Sequence, residues 1–120
     1  MTKRYIPERS DIIWLDFEPT QGKEVGKYRP ALVLSSAEYN NKTGLLICCP
    51  ISTSMRGHMT EVPIDNLEVA SVVVTTIIQT LAWYERKARL ITRADPDVMK
   101  AVLTRLIPLL GAETLFSNAL

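Results

Sequence analysis

Asp11-Ile12-Ile13-Trp14-Leu15-Asp16-Phe17 is a run of β-branched and aromatic residues that reads as a strand. Two further apolar runs are short enough to be buried strands: Ala31-Leu32-Val33-Leu34-Ser35, opened by Arg29-Pro30, and Leu45-Leu46-Ile47-Cys48-Cys49. Glu61-Val62-Pro63-Ile64 continues the pattern, its proline favouring an edge position. The β-branched stretch Val69 to Ile78 reads as one bent strand or two short ones. Between the first two strands lies a long polar loop, Glu18 to Tyr28. Tyr39-Asn40-Asn41-Lys42-Thr43-Gly44 reads as a turn, and Ile51 to His58 as a second polar loop. A helix closes the chain, with Asp95 as its cap, Pro96 at its first position and Gly111 at its exit. Pro108 should kink that helix or end it a turn early. Val98, Ala101, Val102, Arg105 and Leu106 recur at helical spacing, with Leu103, Ile107 and Leu110 widening the apolar face. Short strands followed by one helix imply a mainly β fold, a small twisted barrel with helical packing.

Composition bounds the function. The 120 residues suit a single domain over 1–120, with 112–120 a tail that frays or packs on a partner. No apolar stretch reaches the ~18–20 residues of a membrane span, and no hydrophobic signal core follows the basic N-terminus. A cytoplasmic location is the expectation. Cys48 and Cys49 are adjacent and would point to opposite faces of a strand, so a disulfide between them is not expected. With no other thiol they are also a poor metal site. The formal net charge is only +1, so any bound nucleic acid must lie in a local cleft rather than along an extended basic surface.

The two polar loops hold the chemistry. The first supplies Lys23, Glu24, Lys27, Tyr28 and Arg29, the second Ser52, Thr53, Ser54, Arg56 and His58. A carboxylate, a guanidinium and a hydroxyl around one pocket suit attack of a ribose 2′-hydroxyl on its own phosphodiester. The carboxylate takes the proton, and the planar guanidinium grips the phosphate oxygens on which charge grows. Glu24 is therefore the candidate base, Arg29 the electrostatic stabiliser and Ser52 a phosphate-binding donor, with neither metal nor cofactor required. Each has a plainer alternative: Glu24 a solvated charge, Arg29 a strand anchor, Ser52 a turn residue. His58, the sole histidine, reads as a peripheral RNA contact or an exposed bystander.

These residues resemble a known family. Asp11 to Glu24 is similar to the opening strand and first loop of MazF/PemK toxins, and Gly26 to Ser35, Tyr39 to Gly44 and Pro50-Ile51-Ser52-Thr53 continue the likeness. The resemblance runs from about Arg4 to Gly111. It implies an SH3-like β-barrel of the CcdB/PemK type with a C-terminal helix, a homodimer, and an antitoxin partner. It further implies cleavage of single-stranded RNA at a short sequence, leaving a 2′,3′-cyclic phosphate and a 5′-hydroxyl. Arg29 matches the family's catalytic arginine, Glu24 its frequent loop glutamate, and Ser52 a hydroxyl that is usually threonine. Phe17, Lys23, Lys27, Tyr28, Thr53, Arg56, His58 and Arg86 are the expected RNA contacts, with Lys87 a further basic group. Two departures stand out. Ser10 replaces a common turn glycine, and Thr76-Ile77 replaces an Asp-Gln or similar polar pair, which points to a changed target sequence. A barrel that binds without cutting, or a gyrase-directed toxin of the same fold, are the competing readings.

Overall fold

The computed structural model describes residues 4–19, 21–22 and 26–115. Seven strands and two helices follow one another: β1 (Asp11–Asp16), β2 (Tyr28–Val33), α1 (Ala37–Thr43), β3 (Leu45–Ser52), β4 (Glu61–Ile64), β5 (Ser71–Val74), β6 (Gln79–Ala82), β7 (Arg89–Arg93) and α2 (Pro96–Leu109). Short 3₁₀ turns cover Thr75–Ile77 and Glu113–Leu115. The strands pair antiparallel in the order β4-β5-β3-β2-β1-β7, with β6 also on β3, in a curled half-barrel. The mainly β architecture with a C-terminal helix is therefore the one expected.

Strict alternation along the central strands builds a core on each side of the sheet. Ile12, Leu32, Cys49 and Ile51 face Met99, Val102 and Leu106 of α2. Ile13, Leu15, Ala31, Val33 and Cys48 turn the other way and pack with Leu46 and Trp83. The two cysteines thus lie on opposite faces as expected, both as free thiols. Burial raises the pKa of both, that of Cys49 to about 12, so neither is a ready thiolate near neutrality. Phe17 continues the Ile13–Leu15 side and is buried in the second core. This corrects its assignment as an RNA contact: the period-2 rule puts its ring inside.

β3 is the organising strand, because its outer edge is shared. Leu45 to Cys48 pair with β6, whereas Ile51 and Ser52 pair with β5. Ile47 donates its N–H to the Ser35 hydroxyl and accepts from Leu34 N, so both its backbone groups face the β2 side. Pro50, three residues on, therefore turns its nitrogen toward the outer edge, at the fork where β6 has ended and β5 has not begun. A residue with no N–H loses nothing there. Pro63 obeys the same logic on the edge strand β4.

Several elements differ from the sequence expectation. Tyr39 to Thr43 are not a turn but most of α1, capped by the Ser36 hydroxyl on Tyr39 N and ended by Gly44 at φ 73°. Its single buried residue, Asn40, explains why no apolar periodicity announced a helix. β2 starts at Tyr28, and β3 runs through Ile51 and Ser52, so the second loop is shorter than expected. β6 and β7 were not anticipated. Pro108 sits inside α2, which runs on to Leu109 instead of ending a turn early. Its missing N–H falls in the last turn, where a Schellman motif closes the helix: Gly111 N donates to Pro108 O and Ala112 N to Ile107 O. The buried face of α2 is also narrower than expected, since Leu103 and Leu110 are exposed.

Ser10 tests the turn-glycine expectation directly. Its φ is +78°, a region L-residues avoid, and it is held there by Ser10 N donating to Val33 O and Ala94 N donating to Ser10 O. Relief of the left-handed penalty of ~1–2 kcal/mol outweighs the extra chain entropy of glycine, ~0.5–1 kcal/mol. Ser10→Gly should therefore stabilise the protein by about 0.5–1 kcal/mol. A denaturant midpoint that falls instead, at unchanged m, would show that the serine is favoured there.

Candidate active site

The first loop is fixed at its base. Phe17 N donates to Lys27 O, Lys27 N to the Glu18 carboxylate at 2.8 Å, and Glu18 N to the Asp16 carboxylate. Arg86 was expected to touch RNA; its Nη1 instead donates to the carbonyls of Asp16 and Glu18 at 3.0 Å each, bracing this loop from below. Lys27 is exposed at the loop's end with φ 73°. Lys23 and Glu24 lie outside the described residues.

Arg29 emerges from this base half-buried. Its Nε donates to Gly26 O at 2.6 Å, which orients the guanidinium plane. Among the described residues its two terminal nitrogens have no protein partner, so they remain for a ligand. Partial burial lowers its pKa below the ordinary arginine value; an arginine remains a cation at neutral pH all the same. Tyr28 is exposed, stacks on Trp14 with ring centroids 5.6 Å apart, and donates its hydroxyl to Lys87 O.

Ser52 comes to Arg29 from the neighbouring strand. β2 and β3 pair Val33 with Cys48, Leu32 with Cys49 and Ala31 with Pro50. Extended by two residues, that register sets Arg29 opposite Ser52, on the same face. The Ser52 Oγ accepts from Ser54 N at 3.0 Å, which leaves its own hydrogen to donate. Ser52 also opens onto a cavity of about 290 Å³ with Ser54, Arg56, His58, Thr60, Glu61, Val74, Thr76 and Ile77. The structure thus brings Ser52, Arg56 and His58 into one pocket, while Arg29, near the start of the neighbouring strand β2, is not among its lining residues. Thr53, by contrast, lines a separate cavity with Trp14 and Pro30, on the other side of the sheet. Thr76 and Ile77 form one wall of the Ser52 pocket, within the 3₁₀ turn at the β3 fork.

Glu61 escaped the sequence reading. Its carboxylate accepts from Arg56 N and Gly57 N and so ties down the second loop. The available signal was a carboxylate four residues after a glycine at a loop's exit. Among the described residues no group of three or more His, Cys, Asp or Glu side chains is arranged to hold a metal.

The curled half-barrel with its C-terminal helix is the architecture of a class of small toxin domains. The family model described as a PemK-like, MazF-like toxin of type II toxin-antitoxin systems matches residues 8–110. The chain belongs to that family. It is 36% identical to the endoribonuclease toxin MazF of Escherichia coli K12, covering 92% of this chain and all of that one. It is 30% identical to the endoribonuclease toxin ChpB of the same strain, over 88% and 96% of the two chains. Among solved structures, MazF of Deinococcus radiodurans superposes with a TM-score of 0.87 at 39% identity, covering 90% of this chain and 99% of that one. A MazE-MazF structure from the same organism gives 0.80 at 39% identity, over 90% and 98%.

Proposed function

We infer that this protein is the toxin of a type II toxin–antitoxin pair and an endoribonuclease that cuts single-stranded RNA selectively. The observation that supports the mechanism is the β2–β3 register, which ends at Ala31 opposite Pro50; continued by two residues it puts Arg29 opposite Ser52, which lines the polar pocket. A scissile phosphate between them receives two hydrogen bonds from the free end of the guanidinium and one from the serine hydroxyl. Those bonds strengthen as charge moves onto the non-bridging oxygens, which is where stabilisation raises the rate. Glu24 takes the 2′-hydroxyl proton in this scheme; arginine is too weak an acid to protonate the leaving 5′-oxygen, which takes its proton from water as the P–O5′ bond breaks. The products are a 2′,3′-cyclic phosphate and a 5′-hydroxyl. The bases flanking the phosphate meet Arg56 and His58 in that pocket, whereas Tyr28, stacked on Trp14, lies on the opposite face of the sheet.

The working unit is a homodimer, and its partner an acidic, partly disordered antitoxin segment that covers the RNA groove. The relatives crystallised as MazE-MazF complexes support that pairing. Cytoplasmic action follows from the substrate; among the described residues no helix is long and apolar enough to cross a membrane.

The reading is tested by digesting a mixed RNA pool in EDTA and mapping the cut ends. Cuts at a short common sequence, with cyclic-phosphate ends, are expected without divalent metal. RNA bound but uncut would favour the silent-barrel reading that Ile77 in the pocket wall suggests. Intact RNA with broken DNA in expressing cells would favour gyrase poisoning instead.

A further inference from the structure

The wall of the Ser52 pocket formed by residues 53–60 has no regular structure, yet it is tied down at five points. Ser52 Oγ holds Ser54 N at 3.0 Å, and Glu61 N donates back to His58 O at 3.0 Å. Arg105 of α2 donates from Nε to Met59 O at 2.7 Å, and the buried Thr75 from Oγ1 to Thr60 O at 2.6 Å. The remaining tie is the Glu61 side chain. Its Oε1 accepts from Arg56 N at 3.1 Å and from Gly57 N at 3.0 Å, with Oε2 3.3 Å from Arg56 N. Two successive N–H groups leading into a residue at φ 77° make an anion-binding concavity, and here the anion is the protein's own carboxylate.

Every one of these bonds ends on loop backbone. Among the described residues the Arg56 guanidinium and the His58 ring have no protein hydrogen-bond partner, and both line the pocket. Among the described residues, Glu61 is the one side chain that bonds the backbone of Arg56 and Gly57 themselves. We propose that Glu61 is a positioning residue of this site: it holds the backbone of Arg56 and Gly57 so that Arg56 and His58 face the same pocket as Ser52. The proposal rests on the reading of that pocket as the RNA site. An unbraced exposed loop would have to be ordered by the RNA itself, and that cost weakens binding. Glu61 is not cast as an acid or base, because its oxygens are already engaged by the loop.

The test is steady-state cleavage by Glu61→Ala, Glu61→Gln, the pair Arg56→Ala with His58→Ala, and that pair combined with Glu61→Ala. Glu61→Ala should raise KM about tenfold with kcat within about threefold, the signature of lost ground-state binding. Glu61→Gln keeps an acceptor oxygen and should return KM to within about threefold of the parent. In the Arg56/His58 background, Glu61→Ala should add less than about twofold, since the groups it positions are gone. Trypsin should also cut after Arg56 faster in folded Glu61→Ala than in the parent. A parent-like KM in Glu61→Ala, a Gln variant as impaired as the alanine, or fully additive effects would each overturn the proposal. Should Glu61→Ala not fold, Glu61→Asp retains the charge but withdraws it by one methylene, and a parent-like KM there overturns it equally. If the parent cuts no RNA, the reading beneath falls, and the tryptic rate at Arg56 alone then decides whether Glu61 braces the loop.

Discussion

Arg29→Ala is expected to lower single-turnover RNA cleavage on the order of a thousandfold, the scale found when a preorganised donor to transition-state charge is removed. The folded protein should hardly notice. Among the described residues the Arg29 side chain makes one hydrogen bond, from Nε to Gly26 O, and its loss costs about 1 kcal/mol. Activity and stability therefore separate cleanly in this variant, which is what distinguishes a catalytic arginine from a strand anchor. Arg29→Lys should recover only a small part of the rate. Lysine keeps the charge but lacks the fork that grips two oxygens, and it lacks the Nε that fixes the plane against Gly26. The comparison is made under single-turnover conditions, with the denaturant midpoint measured on the same samples. Cutting by Arg29→Ala within tenfold of the parent would remove this residue from the chemistry.

The largest stability effect is expected at Asn40, a residue that reads as part of a turn. Its side chain is fully buried. Nδ2 donates to Pro7 O at 2.8 Å and more weakly to Ser35 O, while Oδ1 accepts from the Ser35 hydroxyl. The same hydroxyl takes Ile47 N, and the Asn40 carbonyl takes Trp83 Nε1. One amide thus joins the N-terminal segment, the end of β2 and α1, with β3 and Trp83 tied in at the next bond. Asn40→Ala strands the Pro7 carbonyl and takes away the acceptor of the Ser35 hydroxyl hydrogen, at ~1–3 kcal/mol each. A loss of about 3 kcal/mol follows, and with it a fall in Tm of roughly 10–15 °C. Asn40→Asp should be at least as damaging, because the carboxylate offers Pro7 O no donor and brings a buried charge. A midpoint shift of less than about 1 kcal/mol in Asn40→Ala would mean that water replaces the amide at little cost.

Much of the fold is legible in the sequence because the central strands are long and alternate cleanly. Ile12 against Ile13 and Cys48 against Cys49 assign themselves to opposite cores. The same alternation, two residues past Leu15, carries Phe17 into the interior and away from the RNA contact expected of it. The strands that escaped notice are short and half exposed: Gln79–Ala82 and Arg89–Arg93 earn their place by pairing with β3 and β1. α1 hides because its stability comes from its caps and one buried amide rather than an apolar stripe. At the candidate site, Arg29 and Ser52 can be named from residue type, but their meeting depends on a strand register that spacing alone does not reveal. Glu61 was invisible for a related reason, since its bonds reach backbone and leave no side-chain pattern behind.

The residues bridging the fork in β3, Thr76 and Ile77, contribute to a pocket wall, but neither belongs to either core cluster; only Thr75, before them, is anchored in the interior. Substitutions at the exposed Thr76 should therefore reshape the pocket wall at little cost to the fold.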